Sequence, residues 1–127
     1  MNEASPILAL RHVGKAFATA AGDYRVLNDV NLSIHRGDFI ALTGPSGSGK
    51  TTLLNLAALL DQPTEGDILF DGVRTTDLAP GPLAALRREK TGMVFQRFHL
   101  LSRRTALENV AFRFRYAPVH RREARRL

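Results

Sequence analysis

Eight consecutive residues carry the most specific chemistry in this 127-residue chain: Gly44, Pro45, Ser46, Gly47, Ser48, Gly49, Lys50 and Thr51. They satisfy the pattern G-x-x-x-x-G-K-[ST], and each fixed position has a physical reason. The glycines let the backbone turn tightly and aim successive N–H groups inward. That makes an anion nest at a helix N-terminus, where the positive end of the dipole adds attraction. Lys50 supplies a point charge for the β and γ phosphates of a nucleotide. Thr51 brings a hydroxyl to Mg2+, which keeps waters and phosphate oxygens as its other ligands. With Thr52, the next residue of the same helical turn, these positions form the candidate site for ATP. A chance match in a chain of this length has a probability of about 0.4%, which sets aside a mere glycine-rich turn. No serine has glycine two residues away on both sides, so there is no nucleophile elbow, and the dinucleotide pattern G-x-G-x-x-G is absent.

The elements needed to position such a loop are legible around it. Residues 39–42, Phe-Ile-Ala-Leu, form a short apolar run of the kind a strand buried on both faces presents. After the loop, Leu53, Leu56, Ala57 and Leu60 recur at helical spacing from Lys50 to about Leu60, and Pro63 closes the segment. Upstream, residues 7–12 read as a first strand, and Val30, Leu32 and Ile34 alternate with polar residues as a second. Downstream, Asp71-Gly72 between apolar neighbours predicts a hairpin. Pro82 opens a short helix to about Lys90, Met93-Val94-Phe95 reads as another buried strand, and Thr105 with Glu108 fits a capping box.

Composition supports a single globular core, at 44% hydrophobic and 24% charged residues. The longest apolar run, 56–60, is far short of the ~20 residues that cross a bilayer. No secretory signal is visible at the start, so a cytoplasmic site is expected. The absence of cysteine excludes thiolate metal sites and thiol nucleophiles. The net charge of +6 arises wholly beyond Gln96: up to that residue there are nine basic and ten acidic side chains, and from Arg97 onward nine arginines face two glutamates. A solvated helical face accounts for this tail more simply than nucleic-acid contact.

Taken with its surroundings, the loop resembles that of the ATP-binding subunit of ABC transporters. The match runs through Val26 to Ile34 with Arg36-Gly37-Asp38, then Pro63-Thr64-Glu65-Gly66-Asp67-Ile68 with Asp71-Gly72. The stretches Leu86 to Glu89, Gly92-Met93-Val94-Phe95-Gln96 and Thr105 to Val110 resemble the branch serving lipoprotein release and macrolide export. The resemblance implies an α/β fold, the N-terminal part of an ABC-type P-loop domain with an antiparallel β subdomain. It places Phe17 where an aromatic stacks on adenine, with Tyr24 as a second candidate. Gln96 falls where a glutamine reaches Mg2+ and the attacking water, so Lys50 and Gln96 are the catalytic candidates and Thr51 and Gln96 the metal candidates. Phe98, Leu100 and Leu101 would face a transmembrane permease subunit. The full-length parent would also pair with a second ATP-binding subunit, peripherally on the inner face of the cell membrane.

The same resemblance leads us to expect parts that these residues do not contain. A Leu-Ser-Gly-Gly-Gln signature, an apolar strand ending in Asp-Glu and a late histidine are all absent; Leu32-Ser33 and Leu101-Ser102 do not continue as a signature. Residues 1–127 therefore read as one truncated ATP-binding domain that binds MgATP without turnover, with the strand at 39–43 left open and solubility poor. The alternatives are a guanylate-kinase-like enzyme, which shares the glycine loop but places it on its first strand, and a DNA-associated ABC ATPase fragment.

Overall fold

Two long strands begin the chain, and the core grows on them. In the computed structural model, which describes residues 5–97 and 99–112, β1 spans Leu8–Thr19 and β2 spans Gly22–Ile34. Both run well past the short strands expected from alternation alone. The reason lies in the pairing. Register shifts follow Leu10, Val13 and Lys15, so the period of two is broken even though the ladder continues from Leu8 opposite Ile34 to Thr19 opposite Gly22. At the first irregularity His12 and Asp29 both adopt positive φ. The ring Nδ1 of His12 lies 2.7 Å from Asp29 Oδ1, and the Asn31 side chain accepts the His12 backbone N–H.

The hairpin at Asp71-Gly72 forms as predicted. Strands β3 (Glu65–Phe70) and β4 (Val73–Arg74) close on it, and both turn residues have positive φ, as a type I′ turn requires. The sheet order is β2-β1-β3-β4, antiparallel throughout. This is the expected antiparallel subdomain. Leu8, Leu10, Val13, Leu27, Ile68 and Phe70 from the sheet meet Leu56 and Leu59 to form the core. Fully burying a side chain of this size contributes about 1.5–3 kcal/mol, so this cluster is what presses the segment after the glycine loop onto the sheet.

That segment, α1, spans Lys50–Ala57 and ends three residues before the expected limit. The stop is a backbone device. Leu59 takes a left-handed φ of 58°, its N–H reaches Leu56 O at 3.0 Å, and the Leu60 N–H reaches Asn55 O at 2.9 Å. These are the two bonds of a Schellman closure, made without the usual glycine. A left-handed leucine costs about 1–2 kcal/mol, and burial of the Leu59 side chain offsets it. Because leucine stands where glycine is the normal signal, the stop is invisible to periodicity.

The remaining helices start close to where the residue types place them. Helix α2 spans Pro80–Lys90, with Pro80 and Pro82 both in its first turn, where the missing N–H groups cost nothing. Its Leu83 and Leu86 pack on the edge of the core. Helix α3, Ala106–Ala111, carries the predicted capping box: Glu108 N–H donates to Thr105 Oγ1 at 3.2 Å and Thr105 N–H to Glu108 Oε2 at 2.8 Å. The Thr105 N–H, with the Arg104 side chain, holds the Glu108 carboxyl below the usual carboxylate range.

Two predicted buried strands are not found. Residues 39–43 and 93–95 join no ladder among the described residues, and Phe39 is 95% exposed and Val94 97%. A strand exists only through its neighbours' hydrogen bonds, and the described sheet lies elsewhere in the chain. The openness expected of the 39–43 segment is thus observed, as unpaired apolar side chains, and Val94 and Phe95 are exposed as well. Concentration-dependent association is the expected consequence. Light scattering on the purified chain should fall when Phe39→Ser and Val94→Ser are combined; unchanged scattering would place the association elsewhere.

Candidate nucleotide-binding site

The loop that joins residues 39–43 to α1 is built by three left-handed glycines. Gly44, Gly47 and Gly49 have φ of 147°, 80° and 85°. Gly49 is the N-cap of α1 and its carbonyl accepts the Leu53 N–H at 2.9 Å. A Cβ at Gly49 would stand 3.0 Å from Leu27 Cδ2 and 3.2 Å from the Val26 carbonyl oxygen, so β2 abuts the loop at its hinge. No side chain caps this helix start and no acidic residue occupies its first turn. The orphan N–H groups of the first turn and the positive end of the helix dipole are therefore left without a competing side-chain acceptor or acidic residue.

Lys50 is folded into the loop. Its ammonium donates to Gly44 O at 2.9 Å, Pro45 O at 2.6 Å and Ser48 Oγ at 3.3 Å. Gly44, Pro45 and Ser48 do not themselves line the adjoining cavity; they hold the cation beside it. A cavity of about 520 Å³ opens over Ser46, Gly47, Gly49, Lys50, Thr51 and Thr52, and its other wall is Tyr24 and Val26 of β2. That size falls in the range of small-molecule sites. The donor set is suited to a polyphosphate: backbone N–H groups, one ammonium, and the hydroxyls of Ser46, Thr51 and Thr52.

The aromatic end of the site differs from the simplest expectation. Tyr24 lines the cavity, whereas Phe17 does not. The two residues stand directly opposite each other across the β1–β2 ladder and so share one face. Phe17 is 42% exposed, and the Lys15 ammonium lies over its ring, 5.0 Å from the centroid. Gln96 is exposed and does not line this cavity. Beyond it, Leu100 and Leu101 are exposed and line a separate groove of about 430 Å³ with Arg103, Arg104 and Phe112. Phe98 lies outside the described residues.

A residue missed by the sequence reading is Lys15. Its side chain is paired with Asp61 at 2.8 Å and donates to the Gln62 carbonyl at 2.7 Å. Burial pushes the Asp61 carboxyl up, but the hydrogen bonds from Lys15 and the Gln62 backbone, with the charge of Lys15, outweigh it and hold the group below its ordinary value. No local signal marks this pair, because its partners are separated by 46 residues.

Glycine loop, helix N-terminus and cation together define a phosphate-loop nucleotide-binding domain. Residues 27–126 match the family model described as ABC transporter. Over 123 residues the chain is 46% identical to the macrolide export ATP-binding/permease protein MacB 1/2 of Paracoccus denitrificans, covering 95% of this chain and 18% of that protein. It is 44% identical over 104 residues to an ABC transporter ATP-binding protein of Methanocaldococcus jannaschii, covering 82% of this chain and 44% of that one. A solved dimeric, post-hydrolysis state of that archaeal cassette, bound to ADP and Pi, superposes with a TM-score of 0.83 at 41% identity over 94% of this chain and 53% of the other. The chain belongs to the ABC transporter ATP-binding family. It spans less than half the length of these two relatives and corresponds to the N-terminal part of the domain. The guanylate-kinase alternative has no place in that assignment. Among the described residues no helix is long and apolar enough to cross a membrane.

Proposed function

We propose that the cavity over residues 46–52 binds MgATP, and that the protein is the nucleotide-binding part of an export or lipoprotein-release system. The observation that carries this reading is the convergence of the Lys50 ammonium, an uncapped helix start and the Tyr24 wall on one cavity. Backbone N–H groups of the loop bind the phosphates, Lys50 neutralises their charge, and the Thr51 hydroxyl is the protein's ligand to Mg2+. Bound Mg2+ supplies charge neutralisation between phosphate oxygens. Phe17 and Tyr24 take the base against one face of the β1–β2 hairpin, a contact that tolerates either ring type.

Gln96 is the second residue we assign to Mg2+ and water. It is exposed, and it belongs to the segment next to the open flank. The groove at Leu100 and Leu101 is assigned to a transmembrane permease, on the inner face of the cell membrane. A second ATP-binding unit completes the catalytic arrangement, in keeping with the dimeric form of the archaeal cassette. Electrostatic closure over the γ phosphate needs donors that residues 1–127 do not provide, so this chain binds nucleotide without sustained turnover.

Titration of the 127-residue chain with a fluorescent ATP analogue, with and without Mg2+, tests the first part; Mg2+-dependent binding that ATP displaces is expected. Phosphate release measured on the same sample tests the second. Sustained Mg2+-dependent hydrolysis that Lys50→Ala abolishes would overturn the assignment of turnover to the assembled parent.

A further inference from the structure

We propose that Lys15 is a positioning residue for the nucleotide base: it ties the aromatic end of the β1–β2 hairpin to the far end of α1, and so sets the span between the ring faces and the phosphate loop. The inference rests on the reading that the base lies against Phe17 and Tyr24.

Lys15 is an unusual surface-strand lysine. Its side chain is only 12% exposed, and charged side chains are seldom withdrawn from water unless paired. The ammonium makes three contacts at once: Asp61 Oδ1 at 2.8 Å, the Gln62 carbonyl at 2.7 Å, and the Phe17 ring at 5.0 Å. The first two lie in the connection that follows α1. The third engages the ring by attraction of a cation to its quadrupole. One charge thus joins the element that begins at the phosphate loop to the side chain that stands opposite Tyr24.

The opposite end of α1 is held by the same hairpin. Lys15 pairs across the ladder with Leu27, and Leu27 is the residue that a Cβ on Gly49 would meet at 3.0 Å. The hairpin therefore grips α1 at its N-cap, Gly49, through packing and beyond its last residue through the Lys15 ion pair. A nucleotide bound along this wall spans the two grips, with phosphates over Gly47 to Thr52 and the base toward Tyr24. Releasing the Lys15 end frees the aromatic pair to shift relative to the loop and leaves the loop itself intact. Pairing for stability alone is a weak explanation, because Asp61 is still 36% exposed and ion pairs open to solvent contribute little.

The test compares two probes, MgATP and magnesium tripolyphosphate, which share the phosphate chain but not the base. Lys15→Met is expected to weaken MgATP by about three- to tenfold and to leave tripolyphosphate unchanged. Asp61→Asn should act in the same direction, and Lys15→Arg should restore most of the loss, since guanidinium keeps both the carboxylate pairing and the ring contact. Equal loss of both probes in Lys15→Met overturns the proposal, for the residue would then serve the fold as a whole. The double variant Phe17→Ala, Tyr24→Ala separates the two readings. If it leaves MgATP affinity intact, the base assignment falls and this proposal with it. If it weakens MgATP while Lys15→Met does not, the role of Lys15 alone is lost.

Discussion

Lys50→Ala is expected to weaken nucleotide binding by about ten- to hundredfold while leaving the fold in place. Among the described residues the ammonium is the only side-chain cation lining the cavity, and a hydrogen bond to a charged group is worth about 1.5–3 kcal/mol. Its removal leaves the Gly44 and Pro45 carbonyls without a partner, but both residues are exposed, so water replaces the ammonium. The stability change should stay within about 0.5 kcal/mol. Lys50→Arg should recover little, because the three oxygens that hold Lys50 surround a compact ammonium and the guanidinium fork is larger and planar. Nucleotide titration paired with thermal melting separates the two effects. An affinity within twofold of the parent would show that the loop amides alone hold the phosphates.

The largest expected effect on folding comes from Gly66→Ala. Gly66 has φ of 79°, and a Cβ there would lie 2.2 Å from the His12 carbonyl oxygen and 2.5 Å from that of Arg11. Both obstacles are backbone, so neither can rotate away. The contact sits at the β1–β3 irregularity between Arg11 and Gly14, where the strands approach while the register shifts. Alanine would have to push the strands apart beside Leu10, Val13 and Ile68, three of the most deeply buried residues. A loss of at least about 3 kcal/mol is expected, a large part of the stability of a small domain. Gly72→Ala is the control. Its φ is 80° but nothing lies within 4 Å of the added Cβ, so only the left-handed penalty of about 1–2 kcal/mol applies. Urea unfolding midpoints of the two variants measure the difference. Equal midpoints would refute close approach as the reason for glycine at position 66.

Local features of the fold were legible where the signal is itself local. The phosphate loop, the Asp71-Gly72 hairpin and the Thr105–Glu108 capping box each depend on residues a few positions apart, and each forms as their chemistry demands. The limits of β1, β2 and α1 were not legible. The strands extend through bulges that break alternation, and α1 stops on a left-handed leucine rather than a glycine. The apolar runs at 39–42 and 93–95 have the composition of buried strands yet join no ladder among the described residues, because hydrophobicity registers a need for partners and not their presence.

For the site, residue types and spacing alone named the backbone segment and the cation that we propose grip phosphate. Those properties belong to eight adjacent residues and to the handedness of glycine, so no distant contact can alter them. Only the tertiary structure decided what faces that grip. It set Tyr24 rather than Phe17 on the cavity wall, because the β1–β2 register brings them opposite each other and β2 abuts Gly49. It also joined Lys15 to Asp61 across 46 residues, since a pair so distant in sequence is made only when the strand and the end of α1 pack on one core.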